Sequence, residues 1–227
     1  MSDENERGPD LPTSLEQRTS VGGRRFSPSV GRNKEVVAAA FEALMPADGH
    51  VLEIGSGTGE HGIVLMSQLP SLRWTFSDPD DDARDSITAW ITETGLDRAN
   101  GPFDLDVSSP NWWQPFKGKD VTGLFSANVI HIAPFAVAKG LFAGAGAVLP
   151  PGGRLFFYGP FGRNGEMADG NQRFDTDLKR RSANWGVRDL DRDLVPVAHA
   201  AGLSLADVRE MPKNNLSVVF ERSAKGP

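Results

Sequence analysis

The sequence predicts an α/β fold: a doubly wound sheet of seven strands, mostly parallel, closed by an antiparallel hairpin at the carboxyl end. Three observations predict it. The first is Val51-Leu52-Glu53-Ile54-Gly55-Ser56-Gly57-Thr58-Gly59-Glu60, an apolar run that breaks into alternate glycines and resumes at helical spacing with Ile63, Val64, Met66 and Leu69. The second is the alternation of short apolar strands with helical stretches, which implies crossovers and a parallel sheet. The third is a pair of strand-like runs near the end, so close in sequence that they can only pair antiparallel, because a parallel connection needs a dozen or more residues.

The elements follow in order. Residues 1–22 are polar, proline-bearing and poor in large apolar side chains, and are expected to form a mobile tail, with 23–227 as one domain. A helix is expected from about Asn33, a plausible N-cap, with Val36, Val37, Ala40, Phe41 and Leu44 on one face and Pro46 and Gly49 ending it. Strands are expected at 51–54, 72–76, 103–107, 121–126 and 154–158. A charged helix bearing Ile87, Trp90 and Ile91 on its inner face follows the second, and an Ala/Gly-rich helix at 135–149 precedes the fifth. The closing hairpin comprises 203–208 and 216–220, around a Met-Pro-Lys-Asn-Asn turn. There are no internal repeats.

Composition excludes several functions. With no cysteine there is no disulfide, thiolate nucleophile or zinc–thiolate site, and the four histidines lack acids at ligand spacing, so no metal is expected. A formal net charge of -6 argues against non-specific nucleic-acid binding through a basic surface, although a small local patch is compatible with it. No apolar run approaches membrane-spanning length, and the acidic, polar start MSDENERGPD lacks the order of a secretory signal. The expectation is a soluble, cytoplasmic protein without a membrane partner.

Strand, glycine loop and helix together make a nucleotide cradle at the carboxyl end of a parallel strand. Counted from Gly55 the spacing is G-x-G-x-G, with Glu60 where the third glycine of a dinucleotide fingerprint would stand, and no Gly-Lys-Ser/Thr of a phosphate-binding loop is present. Asp78 ends the second strand, where a carboxylate can accept hydrogen bonds from both ribose hydroxyls. Asn128-Val129-Ile130-His131-Ile132 leaves the fourth strand at the same end. His131 is a candidate general base, with a satisfied structural histidine as the alternative. Tyr158 leaves the fifth strand there too.

The E-x-G-x-G-x-G form resembles motif I of class I S-adenosylmethionine-dependent methyltransferases, which have a Rossmann-like fold. The resemblance implies S-adenosylmethionine as cofactor, with the loop backbone of Gly55, Ser56, Gly57, Thr58 and Gly59 against the methionine moiety and Glu53 orienting the site. It places Asp106 and Val107 at the adenine, the acid taking the amino group and the apolar residue packing on the ring. A turn residue is the alternative for Asp106, since Ser-Ser-Pro follows. Asn128 joins the cofactor set.

More of the chain resembles one set of proteins, the methyltransferase-like 26 family. The matching pieces are Phe26-Ser27-Pro28 with Arg32-Asn33-Lys34, Leu52 through His61, Ser77-Asp78, Asn128 to Ile132, Tyr158-Gly159-Pro160-Phe161, Phe174-Asp175 with Trp185-Gly186-Val187-Arg188-Asp189, and Met211-Pro212-Lys213-Asn214-Asn215. They span about residues 24 to 222 in order; Gly55 and Glu60 depart from the alanine and glutamine expected. These pieces should rim one pocket, in which Arg32, Asn33, His131, Tyr158 and Asn214 line the acceptor site, and 174–189 is a substrate lid. The function implied is methyl transfer to a small-molecule acceptor. A regulatory protein that binds the cofactor without turnover is a second reading, since fold and cofactor motif do not establish activity. A nicotinamide oxidoreductase is a third, opposed by the loop spacing and the closing hairpin.

Overall fold

The structure, a computed structural model, describes residues 17–224. It opens with a small antiparallel hairpin, β1 (Thr19–Val21) and β2 (Arg24–Phe26). Order therefore begins within the stretch assigned to the tail; the part of that tail at 1–16 lies outside the described residues. The polar composition hid this strand because its residues are exposed, and it is the Gly22-Gly23 turn that folds it back.

Helix α1 (Pro28–Leu44) starts earlier than expected. Ser27 caps it by accepting from Val30 N–H at 3.2 Å, and Pro28 takes the first turn, where its missing N–H costs nothing. Asn33 is thus inside the helix, not at its cap. Strand β3 (Gly49–Glu53), α2 (Glu60–Gln68), β4 (Leu72–Ser77), α3 (Asp81–Thr94) and β5 (Ala99–Phe103) follow. Then come β6 (Gly123–Ala127), α4 (Phe135–Val148), β7 (Arg154–Gly162), α5 (Asp169–Arg181), the two-residue β8 (Arg188–Asp189), α6 (Val195–Ala200), β9 (Leu203–Met211) and β10 (Asn215–Arg222).

The sheet runs β5-β4-β3-β6-β7-β10-β9, with β8 paired beside the end of β7. β3 to β7 are parallel neighbours, and β10 is antiparallel to both β7 and β9. The expected seven strands and closing hairpin are present. One strand is displaced: the third lies at Ala99–Phe103, four residues ahead of its expected start. A Gly-Pro pair reads as a strand breaker, but β5 is an edge strand, where a residue without N–H is tolerated. Asp106 and Val107 consequently sit in the loop beyond the strand.

Two apolar layers flank the sheet. One carries Phe41, Trp74, Phe76, Phe125 and Phe156 beneath α1 and α2; the other gathers Phe142, Phe157, Leu155 and Phe220 beneath α4 and α6. Phe125 and Phe156 stack at 5.5 Å across β6 and β7. No helix among the described residues is long and apolar enough to cross a membrane.

Candidate functional site

The glycine loop is held open by its neighbours. Gly55 has a φ of +69°, and a Cβ there would stand 2.5 Å from Val129 Cγ2, so only glycine lets the segment after β6 close on the loop. Ser56 and Ser77 clasp β3 to β4: Ser56 N–H donates to Ser77 O at 2.9 Å, and Ser77 N–H to Ser56 Oγ at 3.2 Å. Asp78 lies at the mouth. Its Oδ2 accepts from Gly57 N–H at 2.8 Å and its Oδ1 from Asp80 N–H at 3.0 Å, which leaves each oxygen lone pairs for a diol. Burial pushes its pKa up, while these two N–H groups and Arg18 oppose the rise.

Glu53 is behind the loop. It is buried, its Oε2 accepts from Trp74 Nε1–H at 2.9 Å, and burial pushes its carboxyl up to about 8. The carboxyl is therefore protonated and uncharged near neutrality, so it shapes the floor without adding charge.

Glu60, the residue in the third-glycine position counted from Gly55, has a clear task. Its Oε2 accepts from Ser27 N–H at 2.7 Å and from the Thr58 hydroxyl at 2.9 Å. It latches the segment before α1 to the loop. The glycine that packs the helix is Gly62: a Cβ there would meet Phe76 Cε1 at 2.4 Å, Trp74 Nε1 at 2.5 Å and Glu53 Oε2 at 2.8 Å. Counted from Gly57, the chain reads G-x-G-x-x-G, and the dinucleotide spacing is present after all. Loop spacing therefore does not separate nucleotide classes here; the antiparallel β10 does.

The expected acceptor residues divide. Asn33 and Tyr158 come together with two residues the sequence did not single out, His61 and Asn215. His61 Nε2 donates to Asn33 Oδ1 at 3.0 Å, Asn215 Nδ2 donates to the Tyr158 hydroxyl at 3.0 Å, and the Asn33 amide bonds the same hydroxyl. Burial holds His61 down to about 4 and raises Tyr158. Arg32 is exposed on α1 and outside this cluster. Asn214 is exposed too, with its carbonyl accepting from Asn171 Nδ2 at 2.9 Å, so that its neighbour Asn215 reaches the tyrosine.

Asn128, with a φ of +58°, and His131 both approach Gly159: a Cβ there would lie 3.4 Å from Asn128 Oδ1 and 3.6 Å from the His131 ring. His131 packs edge-on against Phe174 at 5.5 Å, and its carbonyl accepts from Gly186 N–H at 3.0 Å, so 174–189 does fold over this end of the sheet. Burial drives the His131 pKa down to about 3, so the ring is neutral and a far weaker base than a free histidine. Asp106 is exposed and turns back on Ser108, accepting its N–H at 2.8 Å and its hydroxyl at 2.7 Å, as the alternative turn role requires; Val107 is buried.

This architecture is the class I methyltransferase fold. An O-methyltransferase family protein from Burkholderia thailandensis superposes with a TM-score of 0.70 over 86% of this chain and 56% of that one, at 16% identity. CalO1, a methyltransferase in calicheamicin biosynthesis solved in its SAH-bound form, gives 0.67 over 86% and 54%, at 17% identity. In sequence the chain is 27% identical over 160 residues to the ribosomal RNA small subunit methyltransferase G of Ralstonia nicotianae, which covers 70% of this chain and 61% of that protein. The chain thus spans little more than half the length of these relatives. Residues 24–222 match the family described as protein of unknown function (DUF938), and the chain belongs to that family.

Proposed function

We propose that this protein is an S-adenosylmethionine-dependent methyltransferase with a small-molecule acceptor, in line with its resemblance to the methyltransferase-like 26 family. The observation that carries the reading is Asp78 fixed beside the glycine loop by Gly57 N–H, with lone pairs left on both oxygens. A nucleoside diol fits that carboxylate, and the loop from Gly55 to Gly59 supplies the close backbone surface beside it. The cofactor supplies an electrophilic methyl group when bound. What the chain supplies is position, which for an in-line displacement is the larger part of catalysis.

The acceptor side fits a neutral, hydrogen-bonding molecule. Two amides point at the Tyr158 hydroxyl, so its own hydrogen is available to a lone pair on the acceptor. His131, neutral at physiological pH, serves as a hydrogen-bond partner to the acceptor's nucleophilic group, and takes its proton only as the methyl bond forms.

Isothermal titration with S-adenosylmethionine and S-adenosylhomocysteine, followed by a labelled-methyl screen on metabolite extract, tests this. Micromolar binding and a labelled small molecule are expected. Binding with no labelled product in any fraction would favour the regulatory reading, and no binding at all would end both. A second reading, RNA as acceptor, rests on the likeness to the ribosomal RNA methyltransferase; the net charge of -6 weighs against it. Label appearing in ribosomal RNA rather than in the metabolites would establish it.

A further inference from the structure

The amino-terminal hairpin is anchored across the glycine loop and α3. Arg25 N–H donates to Ser86 Oγ at 2.8 Å, and Ser86 in turn donates to Thr58 O at 2.9 Å. Ser27 N–H holds Glu60, Phe26 packs edge-on against Trp90 at 5.1 Å, and Trp90 Nε1 donates to Arg25 O at 3.2 Å. The arginine that leads into this hairpin, Arg18, is thereby carried over the loop. Its Nη2 lies 3.7 Å from where a Cβ on Gly57 would stand, and its charge acts on Asp78. Its Nε is buried and has no hydrogen-bond partner.

A guanidinium donates five hydrogens and accepts none, and a buried donor left unpaired is costly. Asp78 accepts from Gly57 N–H and Asp80 N–H, and among the described residues no ion pair or hydrogen bond joins its remaining lone pairs to Arg18. The site is therefore built for an anion that lies beside Gly57 and next to the diol position. We infer that Arg18 is a cofactor-binding residue that pairs with the α-carboxylate of the methionine moiety. This rests on the cofactor reading above. The carboxylate is the one anionic group on that cofactor, its sulfonium and ammonium being cations that a guanidinium repels. Pairing also explains why the hairpin is tied to the loop by Glu60 and Ser86: the bonds fix the distance from Arg18 to Gly57.

The test compares two ligands on the full chain by isothermal titration. S-adenosylhomocysteine carries the carboxylate; 5′-methylthioadenosine has the same nucleoside and a thioether without the amino acid. Arg18→Ala is expected to weaken S-adenosylhomocysteine by about tenfold or more, the scale of one charge-assisted hydrogen bond, and to leave methylthioadenosine nearly unchanged. Arg18→Lys should retain part of the affinity. In the unaltered protein, added salt should weaken S-adenosylhomocysteine more than methylthioadenosine, a readout that needs no variant to fold. Equal loss of both ligands in Arg18→Ala, loss of neither, or matching salt dependence would overturn the assignment while leaving the cofactor reading intact. An unaltered protein that binds neither ligand would remove both.

Discussion

Three buried groups should give this fold a stability maximum near pH 6.5. His61 and His131 stay neutral in the fold down to about 4 and about 3, whereas each titrates at 6.5 once exposed. Below 6.5 the unfolded chain takes up two protons that the fold refuses, so stability present above 6.5 is lost as pH falls. Glu53 acts in the opposite sense. Its carboxyl holds a proton in the fold up to about 8 and releases it at 4.5 when unfolded, so stability is lost as pH rises through that range. Between 4.5 and 6.5 the unfolded state is ahead by two protons less one, and stability should rise by roughly 1–1.5 kcal/mol per pH unit. Between 6.5 and 8 only Glu53 contributes, and stability should fall at a comparable rate. Two other buried groups modify the slopes: His50, lowered by burial, steepens the acid limb, and Asp78, raised by burial, opposes it.

Urea unfolding followed by tryptophan fluorescence, at half-unit pH steps across this range, measures both limbs; Trp74 is fully buried and reports on the Glu53 side. Glu53→Gln should flatten the alkaline limb and steepen the acid one, since the opposing proton is gone. A stability that climbs steadily from 4.5 to 8, or an alkaline fall that survives in Glu53→Gln, would refute the assignment of a neutral Glu53.

Three substitutions probe the cradle and its rim. Gly62→Ala drives a methyl into Phe76, Trp74 and Glu53 and should cost about 1–3 kcal/mol, or a fall of roughly 3–10 °C in Tm, read by calorimetry. Glu60→Ala deletes the acceptor for Ser27 N–H and the Thr58 hydroxyl; a loss of about 1.5–3 kcal/mol is expected, with faster amide exchange at Arg25 and Ser27 than at β3. Tyr158→Phe leaves the Asn33 and Asn215 amides without their shared acceptor, for about 1–3 kcal/mol of stability. It should leave S-adenosylhomocysteine affinity unchanged while lowering kcat/KM for the acceptor; weaker cofactor binding would move Tyr158 to the other half of the site.

What was readable in the sequence is what rests on local pattern. The glycine loop, Asp78 at the end of a strand and the close terminal hairpin each need only a few neighbouring residues, and all three stand where the pattern put them. The displaced third strand shows a local signal being overruled, because Pro102 breaks a central strand and not an edge one. Asn33 reads as a cap because asparagine is a good one; Ser27-Pro28 is better, and its priority leaves the Asn33 amide to join His61 and Tyr158. Contacts between distant residues carried no signal at all. Nothing near residue 60 announces that its carboxylate holds a backbone N–H from residue 27, and Asn214 and Asn215 are indistinguishable until β10 pairs with β7.

Those distant contacts determine how rigid the cradle is before any ligand arrives. Ser56 and Ser77 fix the loop to β4, Gly57 N–H is committed to Asp78, Thr58 is held through both its hydroxyl and its carbonyl, and Val129 closes on Gly55. A loop so committed loses little conformational entropy on binding, and preorganisation of this kind raises affinity by lowering its costs. The same bonds run outward to Ser27 and Arg25, so the hairpin and the loop are mechanically one element. A ligand that fills the cradle therefore acts on the hairpin, and any disturbance of the hairpin is felt at Gly57 and Thr58. Cofactor affinity and amino-terminal order should consequently change together in Glu60→Ala, because the one carboxylate oxygen accepts from both Ser27 N–H and the Thr58 hydroxyl.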